Sequence, residues 1–145
     1  MVKKKKVKIR NPKASRPWQH VLEILNGYLK LAKKLYLDEK INGQSFNFGP
    51  KNTEIVPVKD ILKYIKNNWD GFDWIKSKNV IENETEMLVL NTKKAEKTLN
   101  WKTSLNVEAA TILTIEWYKK FYKNKKEIIN FTKEQIINYH RKIKI

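Results

Sequence analysis

At 145 residues, with a hydrophobic fraction of 41% and five tryptophans, the chain is sized and composed for one domain with a real core, or one piece of a larger one. No cysteine and only two well-separated histidines exclude a disulfide framework and a thiolate metal site, and leave no set for a histidine-based one. A formal net charge of +16 points to nucleic acid through counterion release, yet 28 lysines, 16 isoleucines and 15 asparagines against three arginines read as A+T-rich coding bias. Lysine also lacks the fork that reads guanine, which argues against nucleic acid as the main partner.

The start, "MVKKKKVKIR", has the positive charge of a signal peptide but no apolar stretch behind it. Residues 1–8 read as a basic, flexible start. No apolar run approaches a membrane span, so a soluble, cytoplasmic chain without a membrane partner is expected.

From Ile9 to Val21, "IRNPKASRPWQHV" packs two of the three arginines, a tryptophan, a histidine and two prolines into one stretch. Between His20 and Leu37, Val21, Leu25, Tyr28, Leu29, Ala32, Leu35 and Tyr36 recur at the spacing of an amphipathic helix, which "DEKING" ends. "QSFNFGP" at 44–50 alternates Phe46 and Phe48 with polar neighbours and reads as a short strand. Pro57 suits a first helical turn, and Val58, Ile61, Leu62, Ile65 and Trp69 form the stripe of a second helix.

"FDWIKS" at 72–77 and "EMLVLN" at 86–91 read as two more strands, the latter followed by Asn91 or Thr92 as the cap of a short helix. Asn106 is placed to cap a longer helix to about Asn124, with Ala110, Leu113, Trp117 and Phe121 facing inward. A last helix is expected to start at "TKEQ", where Thr132 and Gln135 have capping-box spacing. These strands lack obvious hairpin partners, and their backbone groups need pairing, so more protein is expected against them.

The four glycines are widely separated and form no pyrophosphate-binding turn. Tyr-x-x-x-Lys spacing occurs at Tyr36/Lys40 and Tyr122/Lys126, but with six tyrosines and 28 lysines such matches arise by chance, and neither is taken as catalytic. His20 reads as a structural histidine at a helix start, and His140 as exposed. Arg16, restricted by Pro17 and Trp18, has two readings: a guanidinium that grips a diphosphate beside a helix N-terminus, or one stacked on Trp18 for stability.

The order "IRNPKASRPWQHVLEILNGYLKLAKKLY", "FNFGP", "ETEMLVLNTKKAEKTLNWKTSLNVEAATILTIEWYKKFY" resembles the carboxy-terminal part of the CDP-glucose 4,6-dehydratases over nearly the whole chain. That family is a branch of the extended short-chain dehydrogenase/reductases. The resemblance implies an α/β fragment: a single substrate-binding unit over 1–145, helices with short strands and no complete Rossmann sheet, with 125–145 a helical tail. It implies that Arg16 binds the diphosphate of a CDP-sugar and that Arg10, Asn11, Trp18, Gln19 and His20 shape its loop. Glu84, beside an Asn83 that stands where the family is expected to carry His, falls on a substrate-side loop.

The family's chemistry implies a tightly bound NAD that takes a hydride from sugar C4 and returns it to C6 after water is lost across C5 and C6. Its Gly-rich turn and catalytic Tyr, Lys and Ser/Thr belong to an amino-terminal portion that this chain does not contain. The chain alone is therefore expected to hold no NAD and to be inactive. Its expected partners are a CDP-sugar, a separate NAD-binding half and a second copy of itself. Asn100 also departs from the family, standing where Gly is usual before Trp101. A small basic binding protein that kept the fold and lost the enzyme is the alternative.

Overall fold

The structure is a computed structural model that describes residues 6–51, 55–78 and 86–143. In chain order these form β1 (Val7–Ile9), β2 (Ser15–Arg16), α1 (Val21–Leu37), β3 (Val56–Pro57), α2 (Val58–Asn68), β4 (Trp74–Lys76), α3 (Lys93–Leu99), α4 (Val107–Lys123) and α5 (Ile128–Ile143). Single 3-10 turns sit at Glu39–Ile41 and Lys125–Glu127. β1 pairs with β4 in parallel, and β2 pairs with β3 antiparallel, so the described strands make two two-stranded sheets and no Rossmann sheet. Residues 7 and 8 of the basic start thus lie in a strand.

α4 is the central helix: α2 packs against one side and α5 against another. Asn106 caps it as its sequence suggests, with Oδ1 accepting from Ala109 N at 2.8 Å. Its fully buried residues are Val107, Ala110 and Ile115, whereas Leu113, Trp117 and Phe121 are half-buried. Trp117 is held by its polar tip, with the indole N–H donating to Thr132 Oγ at 2.8 Å.

The last helix begins at Ile128, not at "TKEQ". Asn124 caps the preceding turn, accepting from Lys126 N, and the chain winds straight on. Thr132 then lies inside the helix, donating to Ile128 O while receiving Trp117, and buried Gln135 donates through Nε2 to Leu113 O at 3.0 Å. The pair ties α5 to α4 instead of capping a helix.

Two expected strands do not form ladders. Residues 44–50 are irregular, although Phe46 and Phe48 still turn inward and pack on Ile41, Ala95, Leu99 and Trp101. Of 86–91 only Met87 makes a bridge, parallel to Ser15. Inward Phe46 and Phe48 set the alternation of the first stretch, while Met87, Leu88 and Val89 of the second are exposed; a ladder also needs a neighbouring strand, and for most of their length none is present among the described residues.

Helix α1 runs over the expected span, yet its amphipathic face is inverted. Leu29 is 72% exposed and Tyr36 90% exposed, while Glu23 and Gly27 are the buried positions. Gly27 lies against Phe48, whose ring would come within 2.6 Å of any Cβ there. That close approach explains a glycine inside a helix, where it costs about 1 kcal/mol relative to alanine.

Candidate ligand-binding site

The loop between β1 and α1 is fixed by its own sequence at nearly every step. Asn11 folds a turn, its Oδ1 accepting from Lys13 N and Ala14 N, both at 3.2 Å. The carbonyls of Pro12 and Ala14 then accept from Lys59 N and Val58 N, so they satisfy the free first-turn donors of α2. Ala14 is buried at this junction. Ser15 and Arg16 follow as β2, between β3 on one side and Met87 on the other.

Trp18 turns its indole N–H to Val56 O at 3.1 Å, and Gln19 donates through Nε2 to Phe48 O at 2.9 Å. His20 is the N-cap of α1, with Nδ1 accepting from Leu22 N at 3.3 Å. Its burial disfavours the imidazolium and lowers its pKa from the ordinary value. Arg16 is thereby set on a short strand four residues before this cap. It is half-buried, and its Nη1 donates to Ser15 O at 2.9 Å. Arg10 is exposed at the end of β1. Glu84 lies outside the described residues.

Trp18 and Gln19 also line a cleft of about 650 Å³ between α2 and α4, with Ile61, Trp69, Phe72 and Tyr118. Gln19 and His20 reach a second cavity of about 490 Å³ among α1, α4 and α5. Gln19 Oε1 is buried there without a hydrogen-bond partner among the described residues. Arg10, Asn11 and Arg16 line neither cavity, so the motif divides. Its second half lines the two cavities, and its first half lies outside them at β1 and β2.

Sequence reasoning missed Glu23, the residue that locks this loop to the rest of the fold. Its side chain has no exposed surface. Oε1 accepts from Ser104 N at 2.9 Å and Leu105 N at 2.7 Å, Oε2 accepts from Tyr139 Oη at 3.0 Å, and its backbone carbonyl accepts from Trp101 Nε1 at 3.1 Å. Burial, and then the Glu23 charge and hydrogen bond, push the Tyr139 phenol well above the usual tyrosine range. The available signal was Gly27, four residues on and therefore on the same helical face. A glycine there marks the side on which the rest of the chain comes close.

Two strand-to-helix junctions among the described residues lack a glycine turn. The β2–α1 junction runs through Pro17, Trp18, Gln19 and His20, and β3 passes directly into α2 at Pro57; neither offers the glycines that let backbone approach a pyrophosphate. The first N–H groups of α2 are already taken. Among the described residues, no three His, Asp or Glu side chains gather in a cluster that could hold a metal ion. No described helix is long and apolar enough to cross a membrane. What the site offers is a guanidinium on a short strand held on both sides.

Comparison with known proteins agrees with the loop's sequence. No protein-family model matches the chain. Over 132 residues, 90% of its length, the chain is 30% identical to a curated protein of Salmonella typhimurium (strain LT2). That relative is a CDP-glucose 4,6-dehydratase. The chain resembles this dehydratase in the way its sequence indicates, and its mixed helices and short strands are consistent with a carboxy-terminal portion of such an enzyme. The match spans 36% of the dehydratase's own length.

Proposed function

We propose that this chain is the substrate-side portion of a CDP-glucose 4,6-dehydratase-like lyase, which grips the diphosphate of a CDP-sugar through Arg16 and is inactive alone. The observation that supports this reading is the match over 90% of the chain to a protein of that name, together with an Arg16 whose loop is anchored on α2, β3 and α1. A guanidinium held in this way loses little freedom on binding, and its fork suits two phosphate oxygens. Arg10 and Asn11 set the approach of the strand; Trp18, Gln19 and His20 hold the loop from below.

In this reading NAD and the proton-transfer residues belong to the amino-terminal part of such an enzyme. The test is titration of CDP-glucose into the complex of this chain with an NAD-binding half. Arg16→Ala should weaken binding by about 1.5–3 kcal/mol, the scale of a hydrogen bond to a charged group, and Arg16→Lys should recover part of the loss. Lys133→Ala, removing an equal charge on α5, should change little at physiological salt. Equal losses from Arg16 and Lys133 would mean diffuse charge attraction and would remove the site.

A further inference from the structure

An asparagine followed by glycine is open to attack on its side-chain amide by its own backbone, since glycine puts no side chain beside the attacking nitrogen. The chain carries this dipeptide at Asn26-Gly27 and again at Asn42-Gly43. By sequence the two are equivalent. The fold separates them. Asn26 is half-buried within α1, and Gly27 N belongs to the hydrogen-bonded ladder of that helix. Gly27 also lies against the Phe48 ring, and Glu23, one turn before it, is fixed by three donors. The backbone at Asn26 cannot rotate without unwinding the helix.

Asn42 and Gly43 are both exposed, just past the 3-10 turn at Glu39–Ile41. With φ −61° and ψ 138° at Asn42 and φ 73° at Gly43, they are the central residues of a type II turn, which calls for glycine at its third position. Gly43 N donates to no acceptor among the described residues, and no atom lies within 4 Å of the place where a Cβ would stand. Gln44 closes the turn, its N donating to Ile41 O at 3.1 Å and its Nε2 to Lys40 O at 2.7 Å. Gln44 is itself exposed, so the turn opens locally at little cost. Asn42 ψ can then leave 138°, as closure of a ring between Cγ and Gly43 N requires.

We propose that Asn42 is a site of spontaneous modification, converted through a cyclic imide with Gly43 to a mixture of aspartate and isoaspartate. The Gly43 nitrogen, having lost its proton to solvent base, bonds to Asn42 Cγ; the Cγ–Nδ2 bond breaks and the side-chain nitrogen leaves as ammonia. Water then opens the imide. Cleavage between Cγ and the nitrogen restores the main chain with aspartate, and cleavage between the main-chain carbonyl carbon and the nitrogen leaves the chain running through Cγ, as isoaspartate. Nothing is oxidised or reduced, and water is the co-reactant. Both products add a negative charge at the turn. Isoaspartate also lengthens the backbone by one carbon directly after Ile41, which is 5% exposed and packs with Ala95, Leu99 and Trp101. The modified turn therefore bears on a core residue.

The experiment incubates the full chain at neutral to mildly basic pH and follows its peptides by mass spectrometry, with isoaspartate marked by the methyl group that an isoaspartyl methyltransferase transfers to it. Asn42 should convert at least about tenfold faster than Asn26, because an exposed turn opens far more often than a helix interior. In urea strong enough to unfold the chain, the two should convert at similar rates, since each then has only its glycine beside it. Gly43→Ala, compared in the same urea so that the positive φ of the folded turn plays no part, should slow Asn42 severalfold by crowding the attacking nitrogen. Asn26 converting as fast as Asn42 in the folded chain would overturn the proposal. So would acid at position 42 without isoaspartate, no conversion there at all, or a rate in urea that Gly43→Ala leaves unchanged.

Discussion

Tyr139, near the end of α5, donates its phenol hydrogen to the Glu23 carboxylate in the first turn of α1 at 3.0 Å, in a place closed to water. The two residues join the last helix to the turn that follows the Arg16 loop. A buried carboxylate is costly unless its oxygens are occupied, and here three donors occupy them. Tyr139→Phe should lower stability by about 1–2 kcal/mol in urea unfolding, whereas Glu23→Ala, which strands the amides of Ser104 and Leu105, should cost on the order of 3–5 kcal/mol. Equal, small effects would show that the network contributes nothing beyond packing.

His20 gives the loop a pH dependence of definite sign. Its Nδ1 can accept from Leu22 N only while the ring is neutral, and burial lowers its pKa below the ordinary 6.5. The folded chain thus binds this proton less readily than the unfolded one. Its contribution is complete above pH 6.5 and falls as pH drops below that value toward the folded pKa. His20→Asn keeps a cap that does not titrate, and His20→Ala should cost about 1 kcal/mol at neutral pH. Thermal unfolding at pH 7.5 and 5.5, as order-of-magnitude bounds around the histidine range, should show a smaller drop for His20→Asn than for the unsubstituted chain. An identical drop in both would remove His20 as the cause.

Local signals in the sequence are realised where local chemistry decides. Asn106 caps α4, Pro57 precedes α2, and "FDWIKS" yields β4, because a cap, a fixed φ or a β-rich run acts within a few residues. Asn100, standing where the family usually has glycine, takes the left-handed conformation with φ 48°, which asparagine tolerates better than most residues. Its carbonyl accepts from Lys30, so the turn is kept.

Features that depend on distant chain were not legible. Periodicity found the stripe of α1 correctly and placed it facing the core by default; the contacts of Glu23 with residues 104, 105 and 139, and of Gly27 with Phe48, show that the other side faces inward. The alternation at 44–50 and the apolar run at 86–91 were likewise real, but a ladder needs a neighbour that the pattern does not name. In the candidate site the motif was visible at once, while the structural duties of Asn11, Trp18, Gln19 and His20 depend on partners from 2 to 38 residues away.

The most direct test of the account is turnover of CDP-glucose. The chain alone, supplied with NAD, should release no 4-keto sugar, because its sequence carries no Gly-rich pyrophosphate turn. Adding the part of the Salmonella dehydratase outside the match should restore release, and Arg16→Ala in that mixture should reduce kcat/KM by about tenfold or more, the equivalent of a lost hydrogen bond to a charged group. Release by the chain alone, or a mixture in which Arg16→Ala turns over as fast as the unsubstituted chain, would contradict it.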